Sequence, residues 1–370
     1  MDIDFSDFTS VIDAVRSRYP ATFRLQITFN GFYIDVFTNS LPLKQILTAY
    51  FHEFIVETPQ ADVHSTVTVH DASSISFPYS YKLATPSAPH KPCKHEWIDL
   101  SGGRIVHHRI TDMHYFIGNE QNCMAGPCLT MKNQVVNFIN SRFIKNKVDE
   151  GYLLGHASAV ELDGHGMIIS GNSGAGKSTL ALHMVTAGAN FVSNDRVLIN
   201  KDGTGLFFGT AQQPRINPGT ALNNPCLDSI LSEQEHHKFE SMPSEQLWTT
   251  EIKYDALIPT YYGANRFIPH APLSGVVIMD WERIDVPVQI KQLSAQNASY
   301  FIKYLMKKND LLFLPENKNY TDPTLPDYIQ ALRDIPIFIL QGGVNFADAT
   351  QALLSTLKLE TQLNNKQCSM

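Results

Sequence analysis

Residues 171–178 read Gly-Asn-Ser-Gly-Ala-Gly-Lys-Ser, and this octapeptide decides the fold of the second half of the chain. It fits the phosphate-binding pattern G-x-x-x-x-G-K-[ST]. Gly171, Gly174 and Gly176 permit backbone angles and close approaches that a Cβ forbids. The loop from Gly171 through Asn172, Ser173, Gly174, Ala175 and Gly176 can then turn its amides toward an anion. Lys177 has the reach to meet terminal phosphates, and the Ser178 hydroxyl can ligate Mg²⁺. Thr179 completes this nucleotide-binding set at the start of a helix, whose dipole adds positive potential.

The flanks supply the context the pattern needs. Met167-Ile168-Ile169-Ser170 is a short apolar run with β-branched residues, as a buried strand requires. Thr179 to Val185 has a helical pattern and stops at Gly188, a residue suited to a helix C-terminus. Strand, glycine loop and helix follow one another in the order that a phosphate loop demands.

The chain has 370 residues, enough for about two domains. Hydrophobic content of 43% and charged content of 18% are those of a globular protein. No apolar run approaches the roughly 18 residues of a membrane span. The acidic start Met1-Asp2-Ile3-Asp4-Phe5 lacks the basic and apolar regions of a secretory signal, so a cytoplasmic location is expected. Net charge is −7 and there is no long basic run, which argues against a nucleic-acid track. Lys303, Lys307 and Lys308 read as the solvated face of an amphipathic helix. Cys93, Cys123, Cys128, Cys226 and Cys368 are scattered and odd in number, so they form no disulfide framework. Cys123 with Cys128, or His90 with Cys93 and His95, lack the second half of a metal site and read as buried thiols and loop histidines.

Residues 1–150 read as a smaller α+β unit. Phe23–Thr38 alternates around Asn30-Gly31, a hairpin signal. Leu41–Val56 predicts a helix, Ser65–His70 a strand and Ser73–Pro92 a loop. Gly102-Gly103 predicts a second hairpin between Trp97–Leu100 and Arg104–Ile110. Thr130–Val148 has helical spacing. His107, His108 and His114 read as strand-face residues, not as catalysts. Residues 151–370 read as an α/β unit, with strands at Tyr152–Glu161, Asn190–Ile199, Leu273–Trp281 and Ile335–Leu340. A turn is expected at Asn217-Pro218-Gly219. Helices are expected at Asn224–Phe239 and Asn345–Leu359, and fraying from Asn364.

Two features go beyond a generic phosphate loop: His156, fifteen positions before Gly171, and Asn194-Asp195 after the loop helix. With the loop, these resemble the kinase domain of bacterial HPr kinase/phosphorylase, a P-loop fold related to phosphoenolpyruvate carboxykinase. That family has a His-Gly-Val stretch, a G-D-S-G-x-G-K-S loop and an Ala-Asp-Asp stretch. Here they read His156-Ala157-Ser158, Gly171–Ser178 and Ser193-Asn194-Asp195, at the same spacings. The chain resembles still more fully the HPr-kinase-related kinases of the B type, over most of its length. The supporting stretches are Asn133–Asn140, Pro214–Thr220 and Leu247-Trp248 followed by Glu251–Asp255.

The resemblance implies an ATP- and Mg²⁺-dependent kinase domain at 151–370, behind a recognition or oligomer-contact domain at 1–150. It implies a phosphoryl acceptor, either protein serine or a small molecule, and a functional link to an ATP-grasp enzyme. The first aspartate of the family's pair is taken as the base, and Asn194 occupies that position. Asp195 therefore serves as base or as Mg²⁺ ligand with Ser178, and His156 is the other candidate base, since imidazole titrates near neutrality. The family's downstream Glu-Ile-Arg-Gly signature is not evident, which argues against HPr itself as acceptor. Arg215 and Arg266 are candidates to neutralise charge on the moving phosphoryl group, or else surface ion-pair partners. Glu251, Lys253 and Asp255 alternate, so an extended segment would point all three one way, as a second metal or phosphate cluster or as a solvated face. A non-catalytic nucleotide-gated module is the remaining alternative.

Overall fold

The computed structural model describes residues 5–73, 75–86, 92–118, 121–202, 205–317 and 319–367, with the backbone alone beyond Leu357. The chain divides into two compact units, Met1–Asp149 with Asn309–Tyr320, and Glu150–Lys308 with Thr321–Met370. Among the described residues, no helix is long and apolar enough to cross a membrane.

The first unit is built on an eight-stranded sheet. Strands Phe23–Phe29 and Phe32–Thr38 form the expected hairpin, with Phe29 opposite Phe32 and both turn residues at positive φ (Asn30 52°, Gly31 86°). That is the backbone a two-residue turn of right-handed strands requires. Ser65–Asp71 follows in parallel, then Gln121–Gly126, Met113–Gly118, Gly103–His108, His95–Leu100 and Lys82–Leu83. Helix Phe8–Arg18, capped by Asp7, lays Phe8, Val11, Ile12 and Val15 on Ile105, Phe116, Cys123 and Ala125. Helix Lys132–Asp149 holds the returning segment: Arg142 Nη2 donates to Leu312 O at 2.5 Å, and Lys145 Nζ pairs with Glu316 at 2.7 Å. Cys93, Cys123, Cys128 and Cys226 are free thiols. Burial pushes Cys123 up to about 12 and raises Cys128 as well, which keeps both protonated. His90 lies outside the described residues.

The second unit has a nine-stranded sheet among its described residues. His165–Gly171 runs parallel to His270–Met279, which runs parallel to Ile337–Gly342. These strands are apolar on both faces (Ile168, Ile169, Val276, Val277, Ile337, Phe338), as strands covered on both sides must be. Helix Lys177–Thr186 buries Leu180, Ala181, Leu182, Met184 and Val185, and helix Phe346–Gln367 packs beside it.

The local differences from the sequence reading have physical causes. Asn224–Phe239 is two elements, because Ser232 forms a capping box with Glu235 and starts helix Glu233–Glu240 afresh. Residues 303–308 are not a helical face. The helix Ser299–Ile302 ends there and Met306 bridges to Gly155.

Candidate active site

The phosphate loop leaves the sheet at Gly171, where a Cβ would lie 2.9 Å from Met279 O. It enters the helix at Gly176, in the left-handed region at φ 97°, where a Cβ would lie 2.7 Å from the Phe346 ring. Both positions exclude a side chain on space and on conformation. Gly176 is the N-cap and no side chain among the described residues caps it, which leaves the first-turn amides to an anion. Trp281 Nε1 donates to Ala175 O at 3.0 Å and pins the loop crest. Lys177 Nζ donates to Gly171 O and Asn172 O, both at 3.1 Å, so the ammonium is folded back over the loop. Burial lowers its pKa, Asp195 opposes that shift, and Lys307 adds to it. Thr179 Oγ1 meets Thr220 Oγ1 at 2.8 Å, tying the helix start to helix Pro218–Leu222.

His156 and Asp195 come together because two neighbouring strands break at the same level. Leu153–Gly155 and Ala157–Leu162 are separated by His156. Asn190–Ser193 and Val197–Ile199 are separated by Asn194–Arg196. Gly155 pairs with Val197 and Ala159 with Ser193, so the antiparallel register resumes directly across the gap before a one-residue shift between Ala159 and Val160. Inside it the backbone makes other bonds. His156 N donates to Leu305 O at 2.7 Å, and Arg196 N to Asn194 O at 2.8 Å. Asp195 takes a left-handed φ of 67°. His156 Nε2 lies 3.3 Å from Asp195 Oδ1, and Arg196 Nη1 closes on Asp195 Oδ2. Burial alone would raise the Asp195 carboxyl. The His156 hydrogen bond and the charges of Arg196, His156 and Lys307 outweigh it and bring the pKa down to about 2.

Asn194 is buried, and its Oδ1 accepts from Ser178 Oγ at 2.5 Å and from Ser158 Oγ at 3.2 Å. It, and not Asp195, is therefore the acidic-pair position that touches the loop serine. Lys307 acts electrostatically on both Lys177 and Asp195. Its spacing in the sequence suggests only a solvated helix face, and no local pattern singles it out for the site.

Beside the loop lies a cavity of about 900 Å³, within the second unit. Lys177, Ser178, Arg215, Lys253 and Arg283 line it with aromatic walls from Trp248, Trp281 and Phe346. Phe346 meets Trp281 edge-on at 5.1 Å and stacks on His183 at 5.5 Å. Arg215 pairs with Asp255 at 3.3 Å across a two-residue ladder, so Asp255 orients an arginine of the cavity wall. Lys253 shares that wall, whereas Glu251 is exposed and outside the lining, so the three alternating residues do not form one cluster. Arg266 is not brought to the loop either. Its Nη2 donates to Val185 O at 3.1 Å and Ala189 O at 2.5 Å, capping the far end of the loop helix.

Residues 152–217 match the family model described as the HPr Serine kinase C-terminal domain. The chain is 34% identical over 86 residues to an HPr kinase/phosphorylase of Exiguobacterium sibiricum, covering 23% of this chain and 26% of that protein. It is 26% identical over 188 residues to the HPr kinase/phosphorylase of Geobacillus kaustophilus, covering 48% and 58%. It thus spans less than two thirds of these relatives' length. The solved Hpr(Ser) kinase/phosphatase from Coxiella burnetii aligns with 58% of this chain and 98% of its own, at 14% identity and a TM-score of 0.27. The region that carries the loop with its flanking strand and helix is thus similar to the HPr Serine kinase C-terminal domain.

Proposed function

We propose that the chain is an ATP- and Mg²⁺-dependent phosphotransferase of the B-type HPr-kinase-related group, passing the γ-phosphoryl group to a hydroxyl acceptor. The observation that carries this is the uncapped loop helix under Lys177, set beside the His156–Asp195 pair at the paired strand break. The donor's phosphates would rest on Gly171–Thr179 and its base between the aromatic walls of the cavity, where Arg215, Lys253 and Arg283 add positive charge. Ser178 Oγ and Asn194 Oδ1 are adjacent hard oxygens of the kind Mg²⁺ takes, and the ion would offset charge on the terminal phosphates. Asp195 is engaged by Arg196 and His156, which favours an orienting role for it over metal ligation.

In this reading His156 receives the acceptor's proton while Asp195 holds the opposite ring nitrogen. A carboxylate with a pKa of about 2 is a poor proton acceptor at neutral pH. The acceptor oxygen bonds to the γ-phosphorus, the bond to the bridging oxygen breaks, and ADP leaves. Lys177, positioned over the loop carbonyls, is placed to swing onto the developing charge. The acceptor class proposed is a protein serine, on the strength of the matched family's description. The test is incubation with γ-labelled ATP and a lysate of the host, comparing wild type with Lys177→Ala. Label in protein serine, lost by at least about 100-fold in the variant at unchanged melting temperature, is the expected outcome. Label in the metabolite fraction would move the proposal to a small-molecule acceptor, and equal labelling by both proteins would end the phosphate-loop reading.

A further inference from the structure

The first unit carries a cluster that phosphoryl transfer leaves unused. His107 and His114 are directly opposed on strands Gly103–His108 and Met113–Gly118, so both side chains leave the same face of the sheet. Their rings stack at 4.3 Å and 9°. The connecting turn ends at Asp112, whose Oδ1 lies 3.0 Å from His107 Nε2. On the next strand Glu96 is opposite His107, with Oε1 2.8 Å from His107 Nδ1. His114 is 2% exposed, and its Nδ1 has no hydrogen-bond partner among the described residues. Buried polar atoms are normally partnered, so this nitrogen points to an occupant. One ligand atom from each of His107, Asp112 and His114 lies within 4.8 Å of the other two.

We propose that this hairpin binds one first-row divalent cation of the Zn²⁺ class through His107, Asp112 and His114. Two imidazoles and a carboxylate are the donors such an ion prefers, whereas Mg²⁺ and Ca²⁺ take oxygen sets. Ligand bonds of about 2.0–2.2 Å lie in the plane of each imidazole, so the two stacked rings must tilt out of their parallel arrangement, as well as draw in, to share the ion. Asp112 is the most exposed of the three groups, its side chain 41% exposed against 18% for His107, so its side chain has the most room to adjust. Glu96 accepts the Nδ1 proton of His107, which fixes the tautomer and leaves Nε2 for the metal, the usual carboxylate–histidine–metal relay. Three protein ligands leave a fourth position for water. The rival occupant is a proton: His107 as an imidazolium shared by Glu96 and Asp112. That reading accounts for His107 and leaves the His114 nitrogen unexplained.

The experiment titrates the full-length, metal-stripped chain with Co²⁺, with Mg²⁺ present to fill oxygen sites, and follows the visible absorption before displacement by Zn²⁺. The expected result is one Co²⁺ per chain, displaced by one Zn²⁺, with binding at least about tenfold weaker in Asp112→Asn and in His114→Gln. Asp112→Asn changes a partly exposed ligand, so its affinity decides the matter even if His114→Gln fails to fold. Zn²⁺ should also raise the melting temperature of wild type and not of Asp112→Asn. Absence of stoichiometric binding, or equal affinity in wild type and Asp112→Asn, would overturn the proposal in favour of the protonated bridge.

Discussion

Asn194 is the residue at which this chain departs from the Ala-Asp-Asp stretch of the family it resembles, and its surroundings say what the change does. An aspartate there would set a second negative charge 2.5 Å from the loop serine, whereas the asparagine keeps the oxygen and drops the charge. In the proposed reaction the proton then goes elsewhere, to the neighbouring His156–Asp195 pair. His156→Ala should cut single-turnover transfer by roughly 10²–10⁴-fold with ATP affinity little changed, the usual scale of general-base assistance. Asp195→Asn should cost less, because it removes the orienting partner and not the base. Full transfer in His156→Ala would remove it from that role. The same pair leaves a mark on stability. Asp195 falls from 3.8 in a free carboxyl to about 2 when folded. Its contribution is therefore complete above about 4 and lost as pH drops through 2. The melting-temperature gap between wild type and Asp195→Asn should stay flat from about pH 5 to 8 and close between about pH 4 and 2. A gap that widens on acidification would contradict the depressed carboxyl.

At the scale of elements, the loop helix separates two arginines that sequence could not tell apart. Arg215 lines the cavity, and Arg266 caps the carbonyls at the opposite end of the helix. Arg266→Ala should destabilise by about 1.5–3 kcal/mol, the range for hydrogen bonds to a charged group, and leave transfer near wild type in the folded fraction. Arg215→Ala should do the reverse, lowering transfer with a small change in melting temperature. Chemical denaturation paired with turnover checks both. An arginine in a two-residue strand and another in a loop give no periodic signal, so only the fold could sort them. The loop itself was legible because its constraint is local: glycines at fixed offsets, an apolar strand before and a helical pattern after. The hairpin at Asn30-Gly31 was legible for the same reason. Strands Met113–Gly118 and Gln121–Gly126 were not, since burial on both faces erases alternation. The strand breaks at His156 and Asn194–Arg196 were invisible too. Each half reads as strand, and the gap exists only because the two chain segments lose their pairing together.

For the whole molecule, the two proposed sites belong to different compact units, one a glycine loop with its lysine and the other a histidine–carboxylate hairpin. A ligand that binds only the folded chain stabilises it in proportion to the logarithm of its saturation, about 2.7 kcal/mol at a hundredfold excess over Kd. ATP with Mg²⁺ should therefore raise the melting temperature, and excess chelator should reduce the gain, since the proposed site has Ser178 and Asn194 hold the ion that joins phosphate to protein. Amide exchange should locate the effect. Protection by ATP and Mg²⁺ is expected at residues 171–186 and along the cavity walls near 215–223 and 244–253. These segments surround the loop and lie in one unit. The His107–His114 hairpin should be unchanged by nucleotide, since its donors suit an ion of another class. Lys177→Ala should lose the nucleotide protection while keeping the exchange rates of the buried strands His165–Gly171 and His270–Met279. Those strands are held by apolar packing, and Lys177 meets only the terminal carbonyl of the first, Gly171 O. Nucleotide protection that survives in Lys177→Ala, or that appears at 107–114 in place of 171–186, would place the nucleotide site elsewhere than the glycine loop.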